Sequence, residues 1–167
     1  MAKRQQKTAK KKTEPKKVEP KLRMLVVEAR YYSHIADALL QGATAALNEA
    51  DAEFDRIEVP GALEIPVAIT IALEAARKKR APYDGVVALG CVIQGETKHF
   101  DFICDAVANG VTQLNIKYGK PVIFGVLTPN NIQQAVDRAG GKHGNKGEEA
   151  AATAIKMLAL RDSFAKK

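Results

Sequence analysis

The stretch Gly85-Val-Val-Ala-Leu-Gly-Cys-Val92, with the loop Ile93-Gln-Gly-Glu-Thr-Lys98 and the helix start His99-Phe-Asp101, decides the fold of this chain. An unbroken apolar run of this length is typical of a parallel strand with both faces covered. The glycine-opened loop then brings backbone N–H groups, a hydroxyl and an imidazole together where an anion can bind. The competing interpretation is a solvated loop whose Thr97 caps the next helix.

Three further apolar runs repeat this strand pattern, and longer helical patterns separate them. The predicted strands are Arg23–Glu28, Phe54–Val59, Gly85–Val92 and Val122–Leu127, each continuous enough to be covered on both faces. The predicted helices are Ser33–Glu49 with Ser33 as its cap, Leu63–Arg80, His99–Tyr118, the short Asn131–Ala139, and Lys146–Ala165. This order predicts an α/β fold, a flavodoxin-like three-layer α/β/α sandwich around a four-stranded parallel sheet, with ligands at the carboxyl ends of the strands.

Charge is distributed unevenly along the 167 residues, whose net charge is +7. Residues 1–21 hold nine Lys or Arg and two acidic residues, which leaves seventeen of each sign in the rest of the chain. We therefore predict a disordered basic N-terminal arm over residues 1–21 and one neutral domain over residues 22–167. The arm is interpreted first as solubilising or weakly anion-binding and second as RNA-binding, so nucleic acid is expected only through the arm.

Several classes of protein do not fit the sequence. The chain has neither the apolar segment of a signal peptide nor a run long enough to span a membrane, which favours a cytoplasmic protein. Cys91 and Cys104 fit reduced, buried residues better than a disulfide, and no Cys, His and carboxylate cluster has metal-ligand spacing. A nucleotide-binding flavodoxin-like module is disfavoured because the first loop, Ala29-Arg30-Tyr31-Tyr32, offers no glycine-rich cradle.

The loops after the predicted strands carry the remaining signal. They are Ala29–Ser33, Val59–Pro66, the histidine loop, Phe124–Asn130, and the later segment Arg138–Glu149. In their order and spacing these segments resemble the 6,7-dimethyl-8-ribityllumazine synthase family, and the resemblance covers Leu22 to Phe164.

That resemblance implies a transferase of riboflavin biosynthesis that uses neither a metal nor an organic cofactor. The implied reaction joins 5-amino-6-(D-ribitylamino)uracil to 3,4-dihydroxy-2-butanone 4-phosphate in the penultimate step of the pathway, with release of phosphate and water. It also implies a homopentamer with active sites between adjacent subunits, which in some members assembles into an icosahedral shell of sixty chains, and an association with riboflavin synthase.

The resemblance further assigns roles to individual residues. His99 is implied in proton transfer, with Glu149 orienting its imidazole. Pyrimidine and ribityl binding is implied for Tyr31, Ala62, Leu63, Glu64, Cys91, Val92, Ile93, Lys146 and, across the subunit boundary, Phe124. Phosphate binding is implied for Glu96, Thr97 and Arg138, and Lys146 is placed to contact either the pyrimidine or the phosphate.

Read without the family, several of these residues have ordinary alternatives. Tyr31 fits a rim tyrosine packed on a neighbouring helix equally well, Glu64 fits a first-turn acid, and Arg138 fits a solvated helix end. Tyr32, Leu63 and Gln94 depart from the residues common in the family. These departures keep open a catalytically weak paralogue that binds lumazine or riboflavin or serves mainly as a shell.

Overall fold

The computed structural model describes residues 21–165, which form one sheet, its flanking helices and a small hairpin. The strands are β1 (Arg23–Ala29), β2 (Glu53–Val59), β3 (Gly85–Cys91), β4 (Val122–Leu127), β5 (Ala139–Gly141) and β6 (Gly144–Asn145). The helices are α1 (Ser33–Glu49), α2 (Ile65–Lys78), α3 (His99–Tyr118), α4 (Ile132–Arg138) and α5 (Lys146–Ala165), and a 3₁₀ turn covers Ala62–Glu64. The predicted arm over residues 1–21 lies outside the described residues except for Lys21, whose Nζ is 2.5 Å from Asp51 Oδ1.

The main sheet has four parallel strands in the order β2-β1-β3-β4. In the register Val26 lies opposite Val87 on one side and Arg56 on the other, while Val87 lies opposite Ile123. This order matches the first four strands of flavodoxin-like sheets. The predicted α/β fold is therefore confirmed.

Alternate residues of the central strands face two separate apolar layers. On one face Met24 and Val26 pack with the buried sides of α1 and α5. On the other, Leu25 and Val27 pack with α2 and α3. The predicted covering of both faces is thus correct for the centre of the sheet.

Strand β2 departs from the prediction of full burial. Only Val59 is buried, Phe54 and Ile57 are partly buried, and the other four residues are exposed. The physical reason is its place at the edge of the sheet, where β1 is its only neighbour and charged side chains remain in water.

Two helix starts also differ from those predicted. Tyr32 occupies the cap position of α1 without a side-chain hydrogen bond, so Ser33 is the first helical residue rather than the cap. The predicted helix at Leu63–Arg80 begins as a 3₁₀ turn and becomes α2 at Ile65, with Pro66 in the first turn. Proline suits this place because it has no N–H to leave unsatisfied.

The β5–β6 hairpin was not predicted, and it places the start of α5. Asn145 at its end accepts hydrogen bonds from the backbone N–H groups of Gly147 and Glu148 at 2.9 and 3.2 Å, and donates one to the carbonyl of Ala38 at 2.7 Å. A Cβ atom on Gly147 would lie 2.0 Å from the carbonyl oxygen of Leu39, so only glycine permits this approach of α5 to α1. The hairpin thereby fixes the first turn of α5, where Lys146 and Glu149 lie. Over residues 21–165 no helix combines the length and the apolar character needed to cross a membrane.

Candidate functional site

Two cavities collect nearly all of the predicted site residues. The first, termed the histidine cavity, encloses about 420 Å³ beside the loops that follow β1, β2 and β3. The second, termed the arginine cavity, encloses about 430 Å³ along the exposed edge of β4. The histidine cavity contains Tyr31, Ala62, Leu63, Glu64, Cys91, Val92, Ile93 and His99; the arginine cavity contains Phe124, Arg138, Lys146 and Glu149. The two share no lining residue.

An aromatic corner forms one wall of the histidine cavity. The Tyr31 side chain follows β1 and is 77% exposed. Its ring meets that of Tyr32 edge to face, with centroids 5.0 Å apart and planes at 71°. Edge-to-face contact leaves one ring free to stack on a flat ligand while the other restrains it.

Gly61 leaves room for the Glu64 carboxylate in the part of the lining that follows β2. A Cβ atom on Gly61 would lie 2.9 Å from Oε2 of Glu64, so the Glu64 carboxylate folds back over bare backbone. The ribose-like hydroxyls of a sugar alcohol are suitable donors to such an oxygen.

The end of β3 contributes backbone rather than a reactive thiol. Burial raises the pKa of Cys91 to about 12, with a smaller contribution from Cys104. The thiolate is the nucleophilic form of cysteine, so this group stays unreactive at neutral pH. Cys91 therefore acts here as a small apolar residue.

His99 is the first residue of α3 and its side chain is exposed to the cavity. Its backbone N–H donates to Oγ1 of Thr97 at 3.3 Å, so the hydroxyl helps to order the turn before the helix. Among residues 21–165 its imidazole has no hydrogen-bond partner, which leaves both ring nitrogens available to a ligand. Histidine is the side chain best suited to exchange a proton near neutral pH.

The arginine cavity brings three charged residues, Arg138, Lys146 and Glu149, into a lining that is otherwise uncharged. One guanidinium nitrogen of Arg138 donates to the carbonyl of Gln134 at 3.0 Å, which uses only part of the donor capacity of the group. Lys146 Nζ lies 2.9 and 2.6 Å from the two carboxylate oxygens of Glu149. Phe124 is 36% exposed on the β4 edge. A guanidinium with unused donors beside an aromatic edge suits a phosphorylated ligand, while the Lys146–Glu149 pair is neutral as a unit.

Comparison with known proteins identifies the family. A family model described as 6,7-dimethyl-8-ribityllumazine synthase matches residues 21–162. The chain belongs to that family. It is 53% identical over 137 residues to the protein of that name from Cytophaga hutchinsonii, covering 80% of this chain and 83% of the relative.

Two further lumazine synthases show similar agreement. The protein from Afipia carboxidovorans is 46% identical over 144 residues, which is 86% of this chain and 88% of the relative. The protein from Azorhizobium caulinodans is 49% identical over 139 residues, which is 83% of this chain and 86% of the relative. The resemblance found in the sequence is confirmed, and with it an enzyme of the lumazine synthase family that acts in riboflavin biosynthesis.

Within one lumazine synthase chain the structure separates some residues predicted to act together. Glu149, predicted to orient His99, lines the other cavity and pairs with Lys146. Glu96 and Thr97 lie in the exposed loop before α3 and line neither cavity. Their predicted roles remain predictions.

Some residues of interest were missed from the sequence. Ile103 lines the histidine cavity one helical turn after His99, and Gln134 lines the arginine cavity one turn before Arg138. Helical spacing from those two candidates was a usable signal for both. Buried Glu28 was also missed, because a lone acid at the end of an apolar strand gives no sequence indication of its partners.

No group of three or more His, Cys, Asp or Glu residues in the described part of the chain is arranged to hold a metal ion.

Proposed function

We propose that the enzyme condenses 5-amino-6-(D-ribitylamino)uracil with 3,4-dihydroxy-2-butanone 4-phosphate at a site completed by two subunits. The histidine cavity of one subunit would face the arginine cavity of its neighbour. The observation that carries this proposal is the division of the predicted site residues between two cavities of complementary chemistry. Family membership supports the reaction itself.

The histidine cavity supplies the binding site for the pyrimidine. The exposed ring of Tyr31 offers a stacking surface, and the strand end at Cys91–Ile93 offers backbone groups to the edge of the base. The Glu64 carboxylate beside Gly61 accepts hydrogen bonds from the ribityl chain. These contacts present the amino group of the pyrimidine to the second substrate.

The arginine cavity supplies the guanidinium for the phosphate ester. Arg138 matches a phosphate group with parallel N–H donors, while Lys146, whose Nζ pairs with Glu149, contacts the pyrimidine or the phosphate. Glu96 and Thr97 contribute through the turn before α3, where backbone N–H groups converge. The Glu96 carboxylate points away from the anion in this arrangement.

The chemistry then needs proton transfers more than any reactive nucleophile. The pyrimidine amine adds to the ketone and a first water leaves to form an imine. Elimination of phosphate then gives an enol that tautomerises to a new ketone. The ribitylamino nitrogen adds to that ketone, and loss of a second water closes the ring. His99 moves protons to and from these intermediates, with Glu149 of the adjacent subunit orienting its imidazole. Holding two substrates together supplies a large share of the acceleration, up to about 7–11 kcal/mol.

We further propose an oligomer as the working assembly, because two cavity residues with large apolar surfaces remain exposed in the single chain, and the family resemblance implies that it is a homopentamer. Tyr31 is 77% and Leu63 48% exposed, and a neighbouring subunit would cover both. A sixty-chain shell, an association with riboflavin synthase, a cytoplasmic location and weak anion binding by the N-terminal arm stay predictions.

The direct test mixes purified protein with the two substrates and follows lumazine formation by absorbance against a protein-free control. Formation well above the control, reduced by Arg138→Ala, is the expected result. A rate equal to the control from correctly assembled protein would contradict the proposal and favour a lumazine-binding or shell-forming paralogue.

A further inference from the structure

A buried carboxylate lies three residues before the stacking tyrosine. Glu28, near the end of β1, is 1% exposed and is the only buried charged residue among those described. Its Oε2 atom is 3.2 Å from Nη1 of Arg30, and its Oε1 atom accepts a hydrogen bond from Nε of Arg56 on β2. Both oxygens of the buried acid are thus held by arginines.

Arg30 extends these contacts to the first helix. Its Nη2 atom lies 2.5 Å from Oδ1 of Asp37 on α1, and its Nε atom lies 3.8 Å from Oε2 of Glu58 on β2. Glu28, Arg30, Asp37, Arg56 and Glu58 are called the charge network below. The network joins β1, β2 and α1 at the end of the sheet where the substrate loops begin.

The energetics of such a network suggest a role other than stability. Removing a carboxylate from water is costly, and well-packed apolar residues usually hold a core as firmly as a buried ion pair. Met24 and Val26, which precede Glu28 on the same face of β1, are apolar core residues of this kind. Hydrogen bonds between charged groups instead fix the orientation of the paired side chains, because a guanidinium binds a carboxylate in only a few geometries.

The orientation of the side chain matters most at Tyr31, the residue that follows Arg30. Tyr31 is mostly exposed, and within the described chain its ring contact is with Tyr32. The Arg30 side chain, held by Glu28, Asp37 and Glu58, is therefore the anchored part of this loop. We infer that Glu28 is a positioning residue: it holds Arg30, and through Arg30 it sets the angle at which Tyr31 meets the pyrimidine.

This inference rests on the proposed function, and its test separates the two. Kinetics are measured with both substrates for wild type, Glu28→Gln and Arg30→Met. Glutamine keeps the shape of Glu28 and removes its charge, while Arg30 is less buried and provides a second variant if the first fails to fold. Oligomeric state is measured for each, so that loss of assembly is not read as loss of positioning.

A matched control removes an ion pair between the same two strands at their opposite end. Arg23 on β1 lies 2.6 Å from Asp55 on β2, far from the substrate loops. Arg23→Met removes this pair, together with the contacts of Arg23 to the Ala81 carbonyl and the Tyr83 ring, and leaves the network around Glu28 untouched.

The expected result is a rise of about tenfold in KM for the pyrimidine in both network variants, the size expected for a disturbed stacking contact. The kcat and the KM for the butanone phosphate stay near wild type, and Arg23→Met leaves all three parameters unchanged. In a Tyr31→Leu background Glu28→Gln adds no further effect, because the ring it positions is already gone.

Three outcomes overturn the inference: an unchanged pyrimidine KM in both variants, an equal rise for both substrates, or an equal rise in Arg23→Met. If wild type gives no turnover, the proposed function fails while the inference is still tested by equilibrium dialysis of lumazine. Weaker lumazine binding in Glu28→Gln than in Arg23→Met then supports it. Equal binding, or no binding to wild type, contradicts it.

Discussion

The histidine cavity and the arginine cavity lie on neighbouring parts of one sheet and differ in the chemistry of their walls. The first combines two tyrosine rings, strand backbone, a carboxylate and an imidazole, whereas the second combines an arginine and a Lys146–Glu149 ion pair with a phenylalanine edge. A phosphate ester fits the second, and a flat uncharged heterocycle fits the first. The contrast supports the proposal that a single chain separates the groups needed for a reaction between those two ligands.

The largest expected effect is on the arginine cavity. Arg138→Ala should lower kcat/KM by about 10³-fold, mainly through KM for the butanone phosphate, because a paired charge contact is removed. Steady-state kinetics with each substrate varied in turn measure this effect. Lys142→Ala is the control, since its side chain is 71% exposed and pairs with Asp137 outside the cavity lining. A rise in KM for the pyrimidine with an unchanged KM for the butanone phosphate would contradict the assignment of the phosphate to this cavity.

A smaller effect is expected when the imidazole of the histidine cavity is removed. His99→Ala should lower kcat by about 10²-fold, the lower end of general acid–base contributions, and leave measurable turnover because positioning of the substrates survives. His143→Ala, away from both cavity linings, serves as the matched control. Complete loss of turnover in an assembled His99→Ala variant would contradict the claim that positioning of the substrates contributes to catalysis independently of proton transfer by His99.

The smallest expected effect is on stability at alkaline pH. The pKa of Cys91 is raised by burial to about 12 from 9.0, so between these values the unfolded chain loses a proton that the folded chain keeps. The free energy of unfolding should therefore fall by about 1 kcal/mol from this group as pH rises from about 9 to 10.

Urea unfolding at fixed protein concentration, compared between wild type and Cys91→Ala, measures that contribution together with the smaller effect that the Cys91 thiolate has on the pKa of Tyr32, because the tyrosines themselves are common to both proteins. Cys104→Ala is a matched control with a less buried thiol. An identical pH dependence in wild type and Cys91→Ala would show that the thiol end of the histidine cavity is wetter than its burial implies.

Much of the fold was readable from the sequence because local patterns and tertiary burial agree. The run at Gly85–Cys91 is apolar throughout and lies in the centre of the sheet. At β2 the local pattern and the tertiary burial differ. Phe54, Ile57 and Val59 predict a strand correctly. Which strand lies at the edge, however, depends on pairing across the whole sheet. Burial of a strand depends on its neighbours, and a single segment does not encode them.

Most residues of the candidate site were predicted from the sequence, but their division between two cavities was not. Loops after parallel strands were expected along one rim, and the structure instead places the residues from β4 onward in a cavity of their own. The β5–β6 hairpin explains part of this, because it sets where α5 presents Lys146. The hairpin strands β5 and β6 have three and two residues, and segments this short give no periodic signal in the sequence. The partners of Glu28 were hidden for a related reason, since Arg56 is 28 positions away.

Mixing two defective subunits tests the central claim most directly. Histidine-cavity and arginine-cavity defects, Tyr31→Ala with His99→Ala in one chain and Arg138→Ala in the other, are co-assembled in equal amounts after each is shown to be nearly inactive. If sites form between subunits, about a quarter of them combine two intact halves, and activity should recover to about that fraction of wild type. If each site lies within one chain, every site keeps a defect, and mixed assemblies no more active than their parents would contradict the account.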